Sequence, residues 1–256
     1  MEFIVVACIA LVGSLLSFMS GFGLGTILLP TFLLFFPLEI AVLATALVHM
    51  ANNLFKLWLV GKSADKRMII RFGITSVIGA YVGATLIDVL PNVVLYTYQM
   101  YGMSMEITSM KTLFGCIILF FALYELRSEV NKRTIADRWL PLGGAISGFF
   151  GGLSGHQGAL RSAFLMRTAL TKEAFMGTRV VLACLVDLTR IAVYVNCIEL
   201  ATFSVNPMLI VIASLAAFVG AWFGKKWMQK SETAFINRFI AVSMILFAVA
   251  LIAGLI

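Results

Sequence analysis

Apolar runs of bilayer length recur along the whole chain, and this feature limits the possible fold more than any other. Of the 256 residues, 61% are hydrophobic and only 12% are charged, which is about half the charged fraction of a soluble domain. A helix of roughly twenty apolar residues spans the hydrocarbon core of a bilayer. The sequence therefore predicts an all-α polytopic membrane protein, because the stretches between the runs are too short to form a soluble domain.

Eight apolar segments follow one another, and glycine residues interrupt two of them. The segments cover approximately residues 3–36, 39–60, 69–90, 108–126, 141–170, 173–196, 204–225 and 233–256. The first segment is broken at Gly21–Gly25 and the fifth at Gly151–Gly158. Interrupted apolar segments in corresponding positions of two halves are typical of the binding site of a secondary transporter.

The two halves of the chain resemble each other beyond these breaks. The sequence AYVGA begins at Ala80 and AFVGA begins at Ala217, each late in the third segment of its half. The order of such echoes predicts two repeats of four segments. We assign residues 1–126 to the first transmembrane repeat, 127–140 to a cytoplasmic linker and 141–256 to the second transmembrane repeat.

Basic residues in the connections predict how the chain is oriented in the membrane. They concentrate between segments 2 and 3, 4 and 5, and 7 and 8: Lys62, Lys66, Arg67, Arg127, Lys132, Arg133, Arg138, Lys225, Lys226 and Lys230. Cytoplasmic loops of membrane proteins are enriched in lysine and arginine. All of these loops become cytoplasmic if segments 1 and 5 are re-entrant hairpins, an arrangement that places both termini outside and gives two inverted repeats. Alternatively, each broken segment crosses the membrane once.

The second glycine break carries polar side chains that suit an anion. His156 and Gln157 lie in the break, and Arg161 follows about one turn into the next helix. A helix that begins near Gly158 presents free N–H groups and the positive end of its dipole. Two alternatives stay open: a neutral histidine bonded to a backbone carbonyl, and an arginine that snorkels to the cytoplasmic surface. The predicted substrate-binding residues of the two breaks are Gly23, Gly25, His156, Gln157, Gly158 and Arg161.

The segments that follow the two breaks share a pattern of positions on one helical face. These positions are Thr45, His49, Asn53 and Lys56 in segment 2, and Arg179, Ala183, Asp187 and Arg190 in segment 6. Asp187 and Arg190 are three residues apart and can form an ion pair on one helix. Arg179 has no acidic residue one turn away on its own helix. We therefore predict that Arg179 binds the anion and that the Asp187–Arg190 pair is structural.

Other polar residues of these two segments have predicted roles in binding and coupling. Asn52 and Asn53 are expected to donate hydrogen bonds to the substrate. Lys56 lies nearer the cytoplasmic end of its segment, so it is expected to snorkel to the surface. His156 or Asp187 could carry a coupling proton, since ionisable groups at membrane depth usually have a function.

Several functional classes find no support in the sequence. The formal net charge is +7, but the basic residues lie in short membrane loops, so nucleic acid is not an expected partner. The cysteines, Cys8, Cys116, Cys184 and Cys197, are scattered and form neither a metal motif nor a disulfide framework. Phosphate-loop, zinc and nucleophile motifs are absent from the sequence. We expect no cofactor, no metal and no enzymatic activity, with an embedded enzyme or a structural subunit as the competing class.

The motifs at the two breaks resemble those of the sulfite exporter TauE/SafE family, and the resemblance covers essentially the whole chain. It rests on Gly21–Gly25 with Pro30, on Ser147–Gly158, and on Gly177–Arg179 followed by Asp187. The resemblance implies a multi-pass protein of the bacterial inner membrane. It also implies that the substrate is sulfite, sulfoacetate or another sulfur-containing or organic anion.

The chain departs from the family pattern in its second break, and this leaves the choice of anion open. His156 and Gln157 stand where many members have glycine, and Ala163 replaces the counterpart of Pro30. We predict a secondary transporter for a small anion such as sulfite or an organosulfonate, with export as the expected direction and alternating access around a midplane site. An anion channel that uses the glycine breaks as a filter is the alternative. Arg161→Ala is predicted to weaken anion binding far more than Lys56→Ala.

Overall fold

Helices dominate the fold, and 82% of the described residues are helical in the computed structural model. The structure describes residues 1–19, 23–100, 102–127, 136–166, 168, 170–197, 205–227 and 234–256. The tip of the first glycine break and the loop residues Lys132, Arg133 and Lys230 lie outside the described residues. The predicted all-α class is confirmed, and the length and composition of several apolar helices are compatible with a membrane protein.

Each predicted segment corresponds to one helix or, where glycine breaks it, to a pair of helices. In chain order the helices are α1 (Glu2–Met19), α2 (Leu24–Leu33), α3 (Leu38–Val60), α4 (Lys66–Val89), α5 (Ser109–Arg127), α6 (Leu140–Ser154), α7 (Gly158–Leu165), α8 (Lys172–Cys197), α9 (Pro207–Trp227) and α10 (Ala234–Ile252). Among the described residues, the helical stretches long and apolar enough to cross a membrane are Leu38–Ser63, Lys66–Val89 and Pro207–Trp227.

Local chemistry explains several helix boundaries. The Asp65 carboxylate accepts a hydrogen bond of 2.8 Å from the Met68 N–H and so caps the start of α4. Pro207 begins α9, a position at which a missing N–H group costs little. α6 ends at Ser154 and is capped by Gly155, whose φ of 79° is a left-handed conformation that glycine adopts without strain.

A β-hairpin between α4 and α5 was not predicted. Its antiparallel strands are β1 (Val94–Met100) and β2 (Met103–Thr108). Valine and tyrosine residues favour the extended strand, and Gly102 in the turn has a φ of 77°. The Tyr98 hydroxyl donates a hydrogen bond of 2.7 Å to the carbonyl oxygen of Ala253, so the hairpin is fixed against the end of α10.

Small residues let particular helix pairs pack backbone against backbone. A Cβ added at Gly83 of α4 would overlap the Phe149 carbonyl oxygen of α6. In the same way, a Cβ added at Gly220 of α9 would overlap the Leu11 carbonyl oxygen of α1. The pairs α4–α6 and α9–α1 are in contact, as are α4–α8 and α9–α3. Glycine at these positions serves close helix packing, as in other membrane bundles.

The basic connections lie together at one end of the helix bundle. The Lys225 ammonium at the end of α9 donates a hydrogen bond of 3.0 Å to the Leu59 carbonyl oxygen at the end of α3. Asp137, just before α6, forms ion pairs with Arg67 and Arg71 at the start of α4. The β-hairpin follows α4 and lies against the end of α10. Both helices lead away from the basic connections, so the hairpin lies away from this end of the bundle.

Both broken segments fold back on themselves. Gly13 of α1 faces Leu24 and Ile27 of α2, and Gly143 of α6 faces the ring of Phe164 of α7. These contacts join residues on opposite sides of each glycine break, so the second helix of each pair returns along the first.

Candidate functional site

A small polar cavity of about 30 Å³ lies where the first break meets α3, α7 and α8. Its apolar lining consists of Phe18, Leu24, Met176, Val180 and Ala183. Its polar lining consists of Ser17, Gly23, His49, Asn53, Lys56, Arg161 and Arg179. The three basic side chains are buried, with exposures of 6% for Lys56, 3% for Arg161 and 7% for Arg179.

Positive charge is concentrated in this cavity. The Lys56 ammonium donates a hydrogen bond of 2.6 Å to the Ser17 hydroxyl. The Arg161 guanidinium donates one of 2.7 Å to the Gln157 side-chain oxygen. Arg179 lies close enough to repel both of these cations. Among the residues that the structure describes, no carboxylate lines the cavity. Buried cations that are bonded to neutral groups are costly, and a bound anion would offset that cost.

A second polar cluster lies directly behind the cavity and is centred on Asp187. Its Oδ2 atom accepts hydrogen bonds from His49 at 2.7 Å and from the Asn53 amide at 2.8 Å. Its Oδ1 atom accepts hydrogen bonds from the Gln157 amide at 3.2 Å and from Arg190 Nε at 3.1 Å. The carboxylate therefore has four donors and a full ion pair with Arg190, so its charge is compensated within the fold.

Arg190 and the second glycine break form one buried structure. A Cβ added at Gly155 would lie 2.6 Å from Arg190 Nη1, so only glycine leaves room for the guanidinium at this turn. Tyr194, one turn further along α8, donates a hydrogen bond to the Gly152 carbonyl oxygen. Arg190, with 0% exposure, thus lies enclosed where the end of α6 packs against α8.

His49 connects the cavity to the Asp187 cluster because its two ring nitrogens face different groups. Nδ1 lies 2.7 Å from the Asp187 carboxylate. Nε2 points towards the first glycine break, and a Cβ added at Gly23 would lie 3.6 Å from it. Both His49 and Gly23 line the cavity. A carboxylate at Nδ1 fixes the ring orientation and leaves Nε2 to face the cavity contents.

The structure brings together part of the predicted set of binding residues. Gly23, Asn53, Arg161 and Arg179 line the cavity. Gln157 lies behind the cavity lining, where its side chain accepts a hydrogen bond from Arg161 and donates one to Asp187. Gly158 is the first residue of the eight-residue helix α7, which carries Arg161.

Three other predicted residues lie outside the cavity lining. His156 packs against Phe121, with ring centroids 5.8 Å apart, and its Nδ1 lies 3.1 Å from the Ser154 carbonyl oxygen. Asn52 faces α1, where the Ser14 hydroxyl donates a hydrogen bond of 3.0 Å to it. A Cβ added at Gly25 would lie 3.6 Å from the Gly155 carbonyl oxygen, so this glycine lies where the two breaks meet.

The expectation that Lys56 snorkels to the surface was wrong. Its side chain is buried and its ammonium lies over the Phe18 ring, 4.9 Å from the centroid. Sequence reasoning also gave no binding role to His49 or Ser17. The signal for His49 was present, because it lies four residues before Asn53 on the same helical face. Ser17 had no such signal, since its role depends on how α1 packs against α3.

Comparison with known families decides the class of protein. The model of the sulfite exporter TauE/SafE family matches residues 5–251. The chain belongs to this family. Its members are membrane transporters of sulfite or related anions, so this TauE/SafE protein is assigned to membrane transport. No individually curated protein matches the chain. Among the described residues, no group of three His, Cys, Asp or Glu side chains is placed to hold a metal ion.

Proposed function

We propose that this TauE/SafE protein is a secondary transporter that binds a small anion, such as sulfite or an organosulfonate, in the cationic cavity. The observation that carries the proposal is the convergence of Lys56, Arg161 and Arg179 in one buried cavity whose described lining includes no carboxylate. Basic side chains at membrane depth face cavities or partners. The Asp187 cluster behind them, in which Arg190 pairs with the carboxylate, supports the proposal by contrast, because there the protein itself supplies the counter-charge.

The charge of the cavity favours anions with two negative charges. Lys56 and Arg161 each donate a hydrogen bond to a neutral group, so neither charge is cancelled by that bond. Sulfite in its fully ionised form and sulfoacetate both carry two negative charges. A dianion would balance these two cations and accept hydrogen bonds from both. We therefore propose that dianions bind more tightly than monoanions of similar size.

The direction of the helices supports the inverted topology. Leu11 and Leu15 of α1 lie against Gly220 and Gly224 of α9, so α1 runs parallel to α9 towards the end that carries Lys225. The corresponding contacts of α6 with α4 make α6 run away from that same end. The two folded-back segments therefore enter the bundle from opposite ends, as inverted re-entrant hairpins would.

This arrangement also supports the proposed orientation and domain division. With the basic loops in the cytoplasm, both termini are outside. The two repeats then comprise residues 1–126 and 141–256, and residues 127–140 form the linker between them. Lys56 and Arg179 lie on the parts of α3 and α8 near the basic end. The cavity is therefore on the cytoplasmic side of the Asp187 cluster, as expected for a site that takes up an anion for export.

The alternative of a channel is less well supported. A selectivity filter needs a continuous path through the membrane. Here the cavity ends against the Asp187 cluster and the contact between Gly25 and Gly155. A closed end behind a binding site favours a carrier, in which a hairpin or helix must move before the anion can leave on the other side.

Counterflow in liposomes tests the proposed function. Purified protein is reconstituted and supplied with external radiolabelled sulfite, with or without unlabelled sulfite inside. A carrier should take up label faster when unlabelled sulfite is inside. Large voltage-driven currents would instead support a channel, and the absence of any flux from the purified protein would support a structural subunit. Cysteine labelling near Glu39 and Lys225 tests the topology, since we expect Glu39 outside and Lys225 inside.

A further inference from the structure

The two buried histidines of the described chain differ in what their ring nitrogens face. His49 places Nδ1 on the Asp187 carboxylate and turns Nε2 towards the cavity lined by the basic side chains. His156 has its Nε2 buried without a hydrogen-bond partner among the described residues, and the residue is not part of the cavity lining. Only the first arrangement joins a proton-accepting atom to the proposed anion site.

We propose that His49 is the proton-binding residue of this transporter and that the proton moves in the same direction as the anion. This inference rests on the proposed function and adds the coupling ion to it. The atom that takes the proton is His49 Nε2. A hydronium ion in the cavity water gives up one O–H bond and becomes water, while Nε2 forms a new N–H bond.

The Asp187 carboxylate makes this step possible without leaving an unbalanced charge. After Nε2 is protonated, Nδ1–H still donates to Asp187 Oδ2, and the carboxylate stays ionised. Asn53 holds the same oxygen at 2.8 Å, so the position of the carboxylate does not depend on the protonation state of the ring. A histidine ring oriented by a carboxylate is a common arrangement for proton transfer.

The surrounding charges explain why proton and anion should bind together. The charged groups around His49 come from three helices and are Lys56 of α3, Arg161 of α7, and Arg179, Asp187 and Arg190 of α8. Four of these groups are basic and one is acidic, so an empty cavity disfavours a further positive charge. An anion in the cavity offsets the basic groups and favours the imidazolium form, and by reciprocity the imidazolium favours the anion.

Proton flux during sulfite uptake tests the inference. Liposomes contain the full-length protein and a trapped pH-sensitive dye, and an inward gradient of sulfite is applied. Protein-free liposomes give the acidification caused by sulfite alone. For wild type we expect acidification of the lumen above this background. In the variant His49→Gln we expect weaker counterflow of labelled sulfite, because His49 lines the cavity, and no protein-dependent acidification for the sulfite that is still taken up. The matched control His156→Gln should retain both.

Each outcome of this experiment supports or contradicts either the proton inference or the proposed function. Wild-type counterflow without proton flux would overturn the proton inference and leave the proposed function standing. Absence of wild-type counterflow would contradict the proposed function itself. Acidification that persists in His49→Gln, or that is lost only in His156→Gln, would show that His49 is not the coupling group. His49→Asn provides the same test if the glutamine variant does not fold.

Discussion

Two clusters of buried charge lie side by side in this TauE/SafE protein, and they are balanced in different ways. Asp187 is surrounded by Arg190, His49, Asn53 and Gln157, and both of its carboxylate oxygens are fully occupied. The neighbouring cavity contains three basic side chains but, in the described lining, no acidic one. This difference is the basis of our proposal that the first cluster serves the fold and that the second binds an anion.

The largest expected effect is on folding stability, and it comes from removing the negative charge of the Asp187 cluster. Asp187→Asn keeps the size of the side chain but leaves Arg190 buried without its counter-charge. Breaking a buried ion pair in this way typically costs about 3–5 kcal/mol of folding stability. We expect little folded protein, or a large fall in the thermal unfolding temperature in detergent.

A surface carboxylate provides the control for that variant. Asp137 pairs with Arg67 and Arg71, but its side chain is 41% exposed. An exposed ion pair contributes no more than about 1 kcal/mol, so Asp137→Asn should unfold at nearly the wild-type temperature. Equal stability of Asp187→Asn and Asp137→Asn would contradict the distinction between the two clusters.

A smaller effect is expected when one charge is removed from the cavity. Lys56→Ala should weaken sulfite binding by about 10- to 100-fold, because a hydrogen bond to a charged group is worth about 1.5–3 kcal/mol. Equilibrium binding to purified protein measures this change. The control is Lys62→Ala, an exposed lysine after the same helix, which should bind as wild type does. If both variants bind equally, Lys56 does not contact the anion.

The smallest effect on sulfite binding is expected when a carboxylate is added beside the cavity, so that its basic residues gain a counter-charge as Arg190 has in the Asp187 cluster. Gln157→Glu places a carboxylate beside Arg161, whose guanidinium now donates to the neutral amide oxygen at 2.7 Å. The new charge should compensate Arg161 from within the protein and weaken sulfite binding by about fivefold or more. Because the substitution also replaces the amide that donates to Asp187 Oδ1, the thermal unfolding temperature of the variant is measured beside its affinity. Gln99→Glu makes the same chemical change on an exposed strand and should leave binding unchanged. Tighter binding by Gln157→Glu would refute the electrostatic account.

The helices were predictable because the bilayer imposes a simple length and composition on them. Each of the eight apolar segments became a helix or a broken pair, and the glycine breaks lie where the sequence indicated. The β-hairpin at Val94–Thr108 was missed because no periodicity in so short a connection distinguishes strands from a loop. Its stability depends on contacts such as Tyr98 with Ala253, which join residues far apart in sequence.

The site was only partly predictable, because the depth of a side chain in the helix bundle and the direction in which it points depend on tertiary packing. Lys56 stands five residues before Gly61, which suggested access to the surface, but α1 and α8 cover it. His156 is adjacent to the turn at Gly155, and that turn directs the ring towards Phe121 instead of the cavity. The prediction that Arg161→Ala weakens binding far more than Lys56→Ala assumed a snorkelling lysine. With both side chains buried in one cavity, we now expect losses of similar size.

Equilibrium binding of sulfite to wild type and to Arg161→Ala tests the central claim most directly, with Lys62→Ala as the control for a lost surface charge. The account predicts saturable binding to wild type and to Lys62→Ala, and a loss of about 10-fold or more for Arg161→Ala. Sulfoacetate and monovalent sulfonates in the same assay should rank the dianion above the monoanions. Identical affinities of wild type and Arg161→Ala for every anion would show that the cationic cavity is not the substrate site.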